Sequence, residues 1–258
     1  MERITSAAGV NVSYDRYGSG TPLVLVHGAF SDHDTNWEFV KPALRERFTV
    51  YAIARRGRGE TDRTTCHSLE DEVRDVVAVI HAVEEPVFLL GHSYGAHCSV
   101  AAAELIPDRI RKLVLYEPAW PRVISEEAIS PLEELAAAGR WDDFTMTFFR
   151  DMLSVPVDQL EELRRTELWP PIIADAPASL GDLRAISRYV FEPERFARVT
   201  CPVLLQIGSE SPRDLYVTDA LAAALPDARI EELAGQAHEG MTTAPSLYAQ
   251  SVIKFLLG

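Results

Sequence analysis

The stretch Gly91-His92-Ser93-Tyr94-Gly95 follows the apolar run 87–90 and leads into an alanine-rich segment of helical period. A serine in G-x-S-x-G between a strand and a helix sits on a tight turn that lifts its hydroxyl clear of the sheet, and side chains on the two glycines would fill the space the turn needs. A serine hydroxyl is a weak nucleophile. The chemistry therefore requires a base within hydrogen-bond reach and a third group that orients the base. His238, in Gly235-Gln236-Ala237-His238-Glu239-Gly240 between the last strand-like run and the last helix-like one, is the candidate base. Loops at the carboxyl ends of strands are where α/β folds carry reactive groups. The run 23–26 ends in His27-Gly28-Ala29-Phe30, which brings a backbone N–H towards the serine. The Ala29 N–H, with Phe30 as the fallback, is expected to form an oxyanion hole with the N–H of Tyr94, reinforced by the dipole of the helix behind the turn. One such donor typically contributes about 3 kcal/mol to transition-state stabilisation.

The remaining histidines read as structural. His92 is the variable position of the pentapeptide, His81 and His97 fall on helix-like segments, and His27 precedes the glycine of its loop. His33, between Asp32 and Asp34, lacks the spacing of a metal site, so no metal is expected and no cofactor is implied. The three cysteines, Cys66, Cys98 and Cys201, are too scattered for a disulfide framework and are expected to be reduced and mostly buried.

Seven strand-like runs must carry these residues. Residues 10–17 alternate and end in Gly18-Ser19-Gly20, a hairpin signal; 23–26, 48–53, 87–90, 113–116, 203–207 and 229–233 are short apolar runs. Helical period appears at 37–47, 69–83, 94–106, 214–225 and 245–257. Strand alternating with helix predicts a three-layer α/β/α fold around a mostly parallel sheet. Between 117 and 202 the alternation stops and amphipathic stretches take over at 126–138, 141–153, 158–168 and 179–190. This predicts an inserted helical cap at 118–199, with the core built from 1–117 and 200–258. Trp120, Trp141 and Phe148 in the cap, with Phe30 below, are candidate pocket residues, although core packing alone explains aromatic residues at helical spacing.

Hydrophobic residues make up 47% of the 258 positions and charged ones 25%, which excludes a disordered chain. The net charge of −14 repels phosphate backbones, and the basic run Arg55-Arg56-Gly57-Arg58 is too short to reverse that, so nucleic acid is not an expected partner. No segment is long and apolar enough to span a membrane, and residues 1–3 do not begin a signal peptide; the chain reads as cytoplasmic.

With His27-Gly28, Arg56-Gly57-Arg58-Gly59, the turn at Ser93 and His238 near the end, the chain resembles capped, esterase-like members of the α/β-hydrolase superfamily over essentially its whole length. The resemblance implies the chain order nucleophile, acid, histidine. Relatives usually carry an aspartate three residues after the glycine that ends the strand following the cap, and here Gly208-Ser209-Glu210-Ser211 has a serine there. Glu210 and Asp214 are alternative acids, each displaced from that place. Glu117 follows the strand 113–116 directly, and some relatives carry their acid at the end of that strand, so Glu117 is the expected partner of His238. Ala54 is a second departure, since relatives often have an acidic residue before the arginine-rich loop; it leaves open how Arg55 and Arg56 are paired, and Arg58 reads as a loop residue rather than a ligand for a substrate carboxylate. The expected activity is hydrolysis of an ester or lactone of a small to medium apolar substrate through an acyl-enzyme. Carbon–carbon bond hydrolysis, a lyase reaction on the same triad and a low-turnover ligand receptor are the alternatives.

Overall fold

The computed structural model describes residues 1–7, 9–64 and 67–258. Eight strands form one sheet: β1 (Glu2–Thr5), β2 (Asn11–Gly18), β3 (Thr21–Val26), β4 (Phe48–Ala54), β5 (Val87–His92), β6 (Ile110–Tyr116), β7 (Val203–Gly208) and β8 (Ala228–Leu233), in the order β1-β2-β4-β3-β5-β6-β7-β8. The β1–β2 and β2–β4 pairs are antiparallel; from β4 to β8 every pair is parallel. The helices are α1 (Lys41–Arg45), α2 (Leu69–Ala82), α3 (Tyr94–Leu105), α4 (Glu126–Ala137), α5 (Trp141–Asp151), α6 (Val157–Leu163), α7 (Trp169–Ser187), α8 (Thr218–Ala224), α9 (Gly240–Thr243) and α10 (Pro245–Leu257). Among the described residues no helix is long and apolar enough to cross a membrane.

Alternation along a strand sends successive side chains to opposite faces. Leu23 and Leu25 of β3 pack with Leu44 of α1 and Val252 and Phe255 of α10. Val24 and Val26 belong to the opposite layer, with Val76 and Ile80 of α2 and Val100 of α3. Helices therefore cover both faces, which is why the central strands are apolar throughout. The start of α2 is fixed by a capping box: Ser68 accepts from the Asp71 N–H, and the Asp71 side chain accepts from the Ser68 N–H.

Several elements differ from the sequence reading, among them α6, which ends at Leu163 rather than 168. β1 was missed because its four residues are mostly exposed and show no apolar alternation. The helix expected at 37–47 is a single turn of 3-10 helix at Thr35–Trp37 followed by α1, because Pro42 has no N–H with which to continue a helix and instead starts a new one. The stretch 214–225 likewise resolves into a 3-10 turn at Arg213–Leu215 and then α8. The largest difference is α7, which begins at residue 169 rather than 179: Pro170 and Pro171 occupy its first turn, where their missing N–H costs nothing, and Pro177 lies within it. Of the three, Pro177 is the one whose missing N–H removes a hydrogen bond from the helix interior. Cys98 and Cys201 are free and buried, as expected, while Cys66 lies outside the described residues.

The glycines of the pentapeptide are required by contact. A Cβ on Gly95 would lie 2.2 Å from the Val26 carbonyl oxygen, and one on Gly91 would lie 2.5 Å from the Gly95 oxygen. Both obstacles are buried backbone. Gly95→Ala is expected to cost about 3 kcal/mol and to lower Tm by roughly 6–12 °C. Thermal unfolding followed by circular dichroism checks this, and a change under about 2 °C would mean that the turn yields where the packing says it cannot.

Candidate active site

Parallel strands in register end side by side, and that is how the site is assembled. His92 of β5 lies opposite Tyr116 of β6, so Ser93 and Glu117 are the first residues beyond two neighbouring strands. The Ser93 N–H donates to the Tyr116 carbonyl at 2.8 Å and the Glu117 N–H to the Gln206 carbonyl at 3.2 Å, which carries the ladder one step past the sheet. Both residues then turn sharply. Ser93 has φ 53° and ψ −118°, and Glu117 has φ 47°. Such conformations cost a residue with a side chain about 1–3 kcal/mol and persist only where surrounding structure enforces them.

Glu117 is fully buried. Its Oε2 lies 2.7 Å from His238 Nδ1, and its Oε1 accepts the Gly208 N–H at 2.7 Å. A carboxylate at Nδ1 holds that nitrogen protonated and leaves Nε2 with the lone pair a base needs. The Tyr216 ring stacks on the His238 ring at 5.5 Å between centroids, and His92 closes the other side at 4.7 Å. Burial pulls the His238 pKa down, but the hydrogen bond and charge of Glu117, with the charge of Glu239, outweigh it and hold the imidazole above its ordinary 6.5. His92 goes the other way: burial, and secondarily the charge of His238, push it well below 6.5, so it is neutral. Its single N–H can serve one of the two oxygens that lie 3.0 Å from its nitrogens, Asn36 Oδ1 from Nδ1 and the His238 carbonyl from Nε2; donated to the carbonyl, it braces the loop that carries His238.

Glu210 and Asp214 are exposed and do not approach His238; the Glu210 carboxylate accepts the Ser209 hydroxyl instead. Of the two oxyanion candidates beyond β3, the Phe30 N–H is spent on Ser179 Oγ at 2.7 Å, which leaves the Ala29 N–H as the available donor beside that of Tyr94. Gly28 packs so closely on the turn that a Cβ there would lie 3.1 Å from Ser93 Cβ.

The candidate pocket residues divide. Phe30 stacks on Phe148 at 4.6 Å and contacts Phe144 and Phe149, while Trp141 packs edge-on against Phe144. Trp120 is not part of that group; it packs against Phe191, with the Arg122 guanidinium over its ring.

The arginine loop contacts more than the sequence reading assigned to it. Arg55, almost without solvent exposure, pairs with Asp182 at 2.7 Å and Glu72 at 2.9 Å; Arg58 pairs with Asp182 at 2.7 Å and Asp175 at 2.9 Å; Arg56 pairs with Asp75 at 2.7 Å. With alanine at position 54, these carboxylates from α2 and α7 are the ones that pair with the arginines. His92, Asn36, Tyr216, Ser179 and Asp182 all bear on the site and were not assigned to it from sequence. Asp175, Ser179 and Asp182, at i, i+4 and i+7, were the one legible signal, a polar stripe on an otherwise apolar helix. Among the described residues, two groups bring possible metal ligands within 4.8 Å of one another, His92 with His238 and Glu239, and His67 with Glu72 and Asp182, but Arg55 already occupies the carboxylates of the second.

A family model described as the alpha/beta hydrolase family matches residues 23–251. An alpha/beta hydrolase from Sphaerobacter thermophilus DSM 20745 has a similar solved structure, with a TM-score of 0.85 and 30% identity over 99% of this chain and 100% of that one. In sequence, the chain is 26% identical over 276 residues to 2-(acetamidomethylene)succinate hydrolase of Mesorhizobium japonicum, covering 99% of this chain and 95% of that protein. A shorter match, 34% identical over 118 residues, covers 44% of this chain and 43% of 2-hydroxy-6-oxo-2,4-heptadienoate hydrolase of Pseudomonas putida. The chain belongs to the alpha/beta hydrolase family and is a hydrolase.

Glu117→Gln is expected to lower kcat roughly 100-fold or more, and Glu210→Gln to leave it within about twofold. The reverse pattern would exclude Glu117. Because the raised His238 must lose its proton to act as a base, kcat/KM should climb with pH through a midpoint above 6.5, and Glu117→Gln should move that midpoint down. The stability that the His238–Glu117 contact contributes is fully present below the unfolded-state pKa and is lost as pH rises through the higher folded one.

Proposed function

We propose that the protein is a serine hydrolase that cleaves an uncharged carboxylic ester or lactone with an apolar acyl group through an acyl-enzyme. The observation that carries this reading is the buried carboxylate of Glu117 on Nδ1 of His238, beside a serine held in a forced turn. In the first half-reaction Ser93 Oγ attacks the carbonyl carbon as His238 Nε2 takes its proton, and Glu117 stabilises the imidazolium so formed. The N–H groups of Ala29 and Tyr94 bind the oxyanion, and His238 returns the proton to the leaving alcohol. Water, deprotonated by the same imidazole, then attacks the acyl-enzyme and releases the acid.

Two features support an uncharged, apolar substrate. Helices α4 to α7 act as a cap in this reading, and the Phe30, Phe144, Phe148 and Phe149 cluster joins the cap to the oxyanion loop as an apolar wall. The guanidiniums of Arg55 and Arg58 are closed by carboxylates, and Glu239 stands beside His238, so a substrate carboxylate meets a neighbouring negative charge rather than an open cation.

Carbon–carbon bond hydrolysis is the second reading. It is favoured by the similarity to the hydrolase named for 2-hydroxy-6-oxo-2,4-heptadienoate, a keto acid with no ester or amide bond. One experiment separates the two: p-nitrophenyl esters of increasing acyl length and a 2-hydroxy-6-oxo dienoate are offered to the wild type and to Ser93→Ala. Ester turnover that peaks at an intermediate acyl length and disappears in the variant is expected. Turnover of the dienoate at a kcat/KM 100-fold above the best ester would replace the ester reading with the second.

A further inference from the structure

Two peptide groups flank Ala29, and each is pinned by a side chain at the atom that Ala29 does not supply. The carbonyl of the first, on Gly28, accepts from Arg55 Nη2 at 2.8 Å and lies 2.7 Å from His27 Nδ1. The N–H of the second, on Phe30, donates to Ser179 Oγ at 2.7 Å. A trans peptide is planar with its C=O and N–H pointing in opposite directions, so fixing the Gly28 oxygen fixes the direction in which the Ala29 N–H points. A charged donor on that oxygen also polarises the amide and makes its N–H a stronger donor.

Both anchors are held by one face of α7. Asp182 takes Arg55 through two hydrogen bonds at 2.7 and 3.1 Å; Ser179 Oγ donates to Asp175 at 2.8 Å; Arg58 ties Asp175, Ser179 and Asp182 together at 2.7–3.2 Å. Ser179 and Asp182 are fully buried. Fastening a helix to a core does not need buried charges, because apolar side chains of the same volume do it as well or better. Nor does it need a guanidinium that spends Nε on the His27 carbonyl at 3.0 Å and Nη2 on the Gly28 carbonyl.

We infer that Arg55 and Ser179 are positioning residues that aim the Ala29 N–H at the oxyanion, so that the oxyanion hole is competent only while α7 is seated on the core. The inference rests on the serine-hydrolase reading above. It makes transition-state binding depend on a helix outside the α/β core, and leaves ground-state binding and the His238–Glu117 pair untouched.

The test measures the second-order rate at which a fluorophosphonate labels Ser93, because its phosphoryl oxygen must enter the oxyanion hole whatever the natural substrate is. Ser179→Ala is expected to slow labelling and kcat about 10- to 100-fold, with KM within about threefold and an unchanged pH midpoint of the acidic limb. Arg55→Lys, which keeps the charge but loses the planar fork, is expected to do the same. A folded Ser179→Ala or Arg55→Lys that labels within twofold of wild type overturns the inference, as does a loss accompanied by a shifted pH midpoint, which would mean general disorder of the site. If neither variant folds, the cluster holds the fold and the inference falls. A wild type that labels but turns over no ester sinks only the ester reading, whereas a wild type whose Ser93 does not label at all removes both.

Discussion

A guanidinium buried without water must have every N–H and its charge answered by the protein, and Arg55 is in that position. Burial alone would lower its pKa; Asp182, then Glu72, reverse that and keep it charged. Meeting this requirement brings three parts of the chain to one point. Glu72 comes from α2, Asp182 from the insertion between β6 and β7, and the carbonyls of His27 and Gly28 from the loop beyond β3. The ring of Tyr94, at the start of α3, lies under the guanidinium at 4.4 Å. Arg55 and Arg58 share the three carboxylates of Glu72, Asp175 and Asp182, and Asp182 pairs with both, so it is the partner whose loss would disturb the most contacts. The geometry of the loop beyond β3 is thus dictated by the solvation of a single cation.

The strain in the site has a regular placement. Among the described residues, and apart from Ser154, the non-glycine residues at positive φ are Phe30, Ser93 and Glu117, each close beyond the end of β3, β5 or β6, three adjacent strands of the sheet. At each, the chain leaves the sheet in a sharp turn: beside the Ala29 N–H proposed for the oxyanion at the first, at the Ser93 hydroxyl at the second, and at the Glu117 carboxylate at the third. Left-handed backbone at residues with side chains is held by contacts already described. Ser179 holds Phe30, the packing of Gly91 and Gly95 holds Ser93, and the Gly208 N–H holds the Glu117 carboxylate. The sheet supplies the register, and the strained turns convert it into convergence.

Much of this was legible in the sequence because the signals are local. The turn at Ser93 is written in five consecutive residues, and the buried strands in runs of apolar ones. The His238 loop is bounded by the last strand and the last helix. Glu117 was legible from its place directly after the strand 113–116, with Ser211 standing where relatives usually carry the acid. What the sequence could not show were partnerships between distant residues. Arg55 and Asp182 are 127 positions apart, and Phe30 and Ser179 are 149 apart. No periodicity joins them. The prolines of α7 fall in the part of the helix that the sequence reading missed, residues 169–178 with Asp175, because a proline in the first turn and one inside look alike before the packing is known.

The place of the acid follows from the same reasoning. A carboxylate on the loop beyond β7 is only as rigid as that loop, and Glu210, which stands there, is exposed. Glu117 is attached instead to β6, a central strand whose next hydrogen bond, from the Glu117 N–H to the Gln206 carbonyl, is still part of the sheet ladder. Its second oxygen is taken by the Gly208 N–H of the neighbouring strand, so one carboxylate spans β6 and β7 and meets His238 as it returns from beyond β8. A glutamate suits this position because it starts beside the serine strand and must reach across to the loop beyond β8. The side chain is fixed at both oxygens, so the direction of the imidazole is set by the sheet rather than by a surface loop. In the proposed mechanism, an acid one strand inward exchanges adaptability for a base whose orientation is fixed before any substrate arrives.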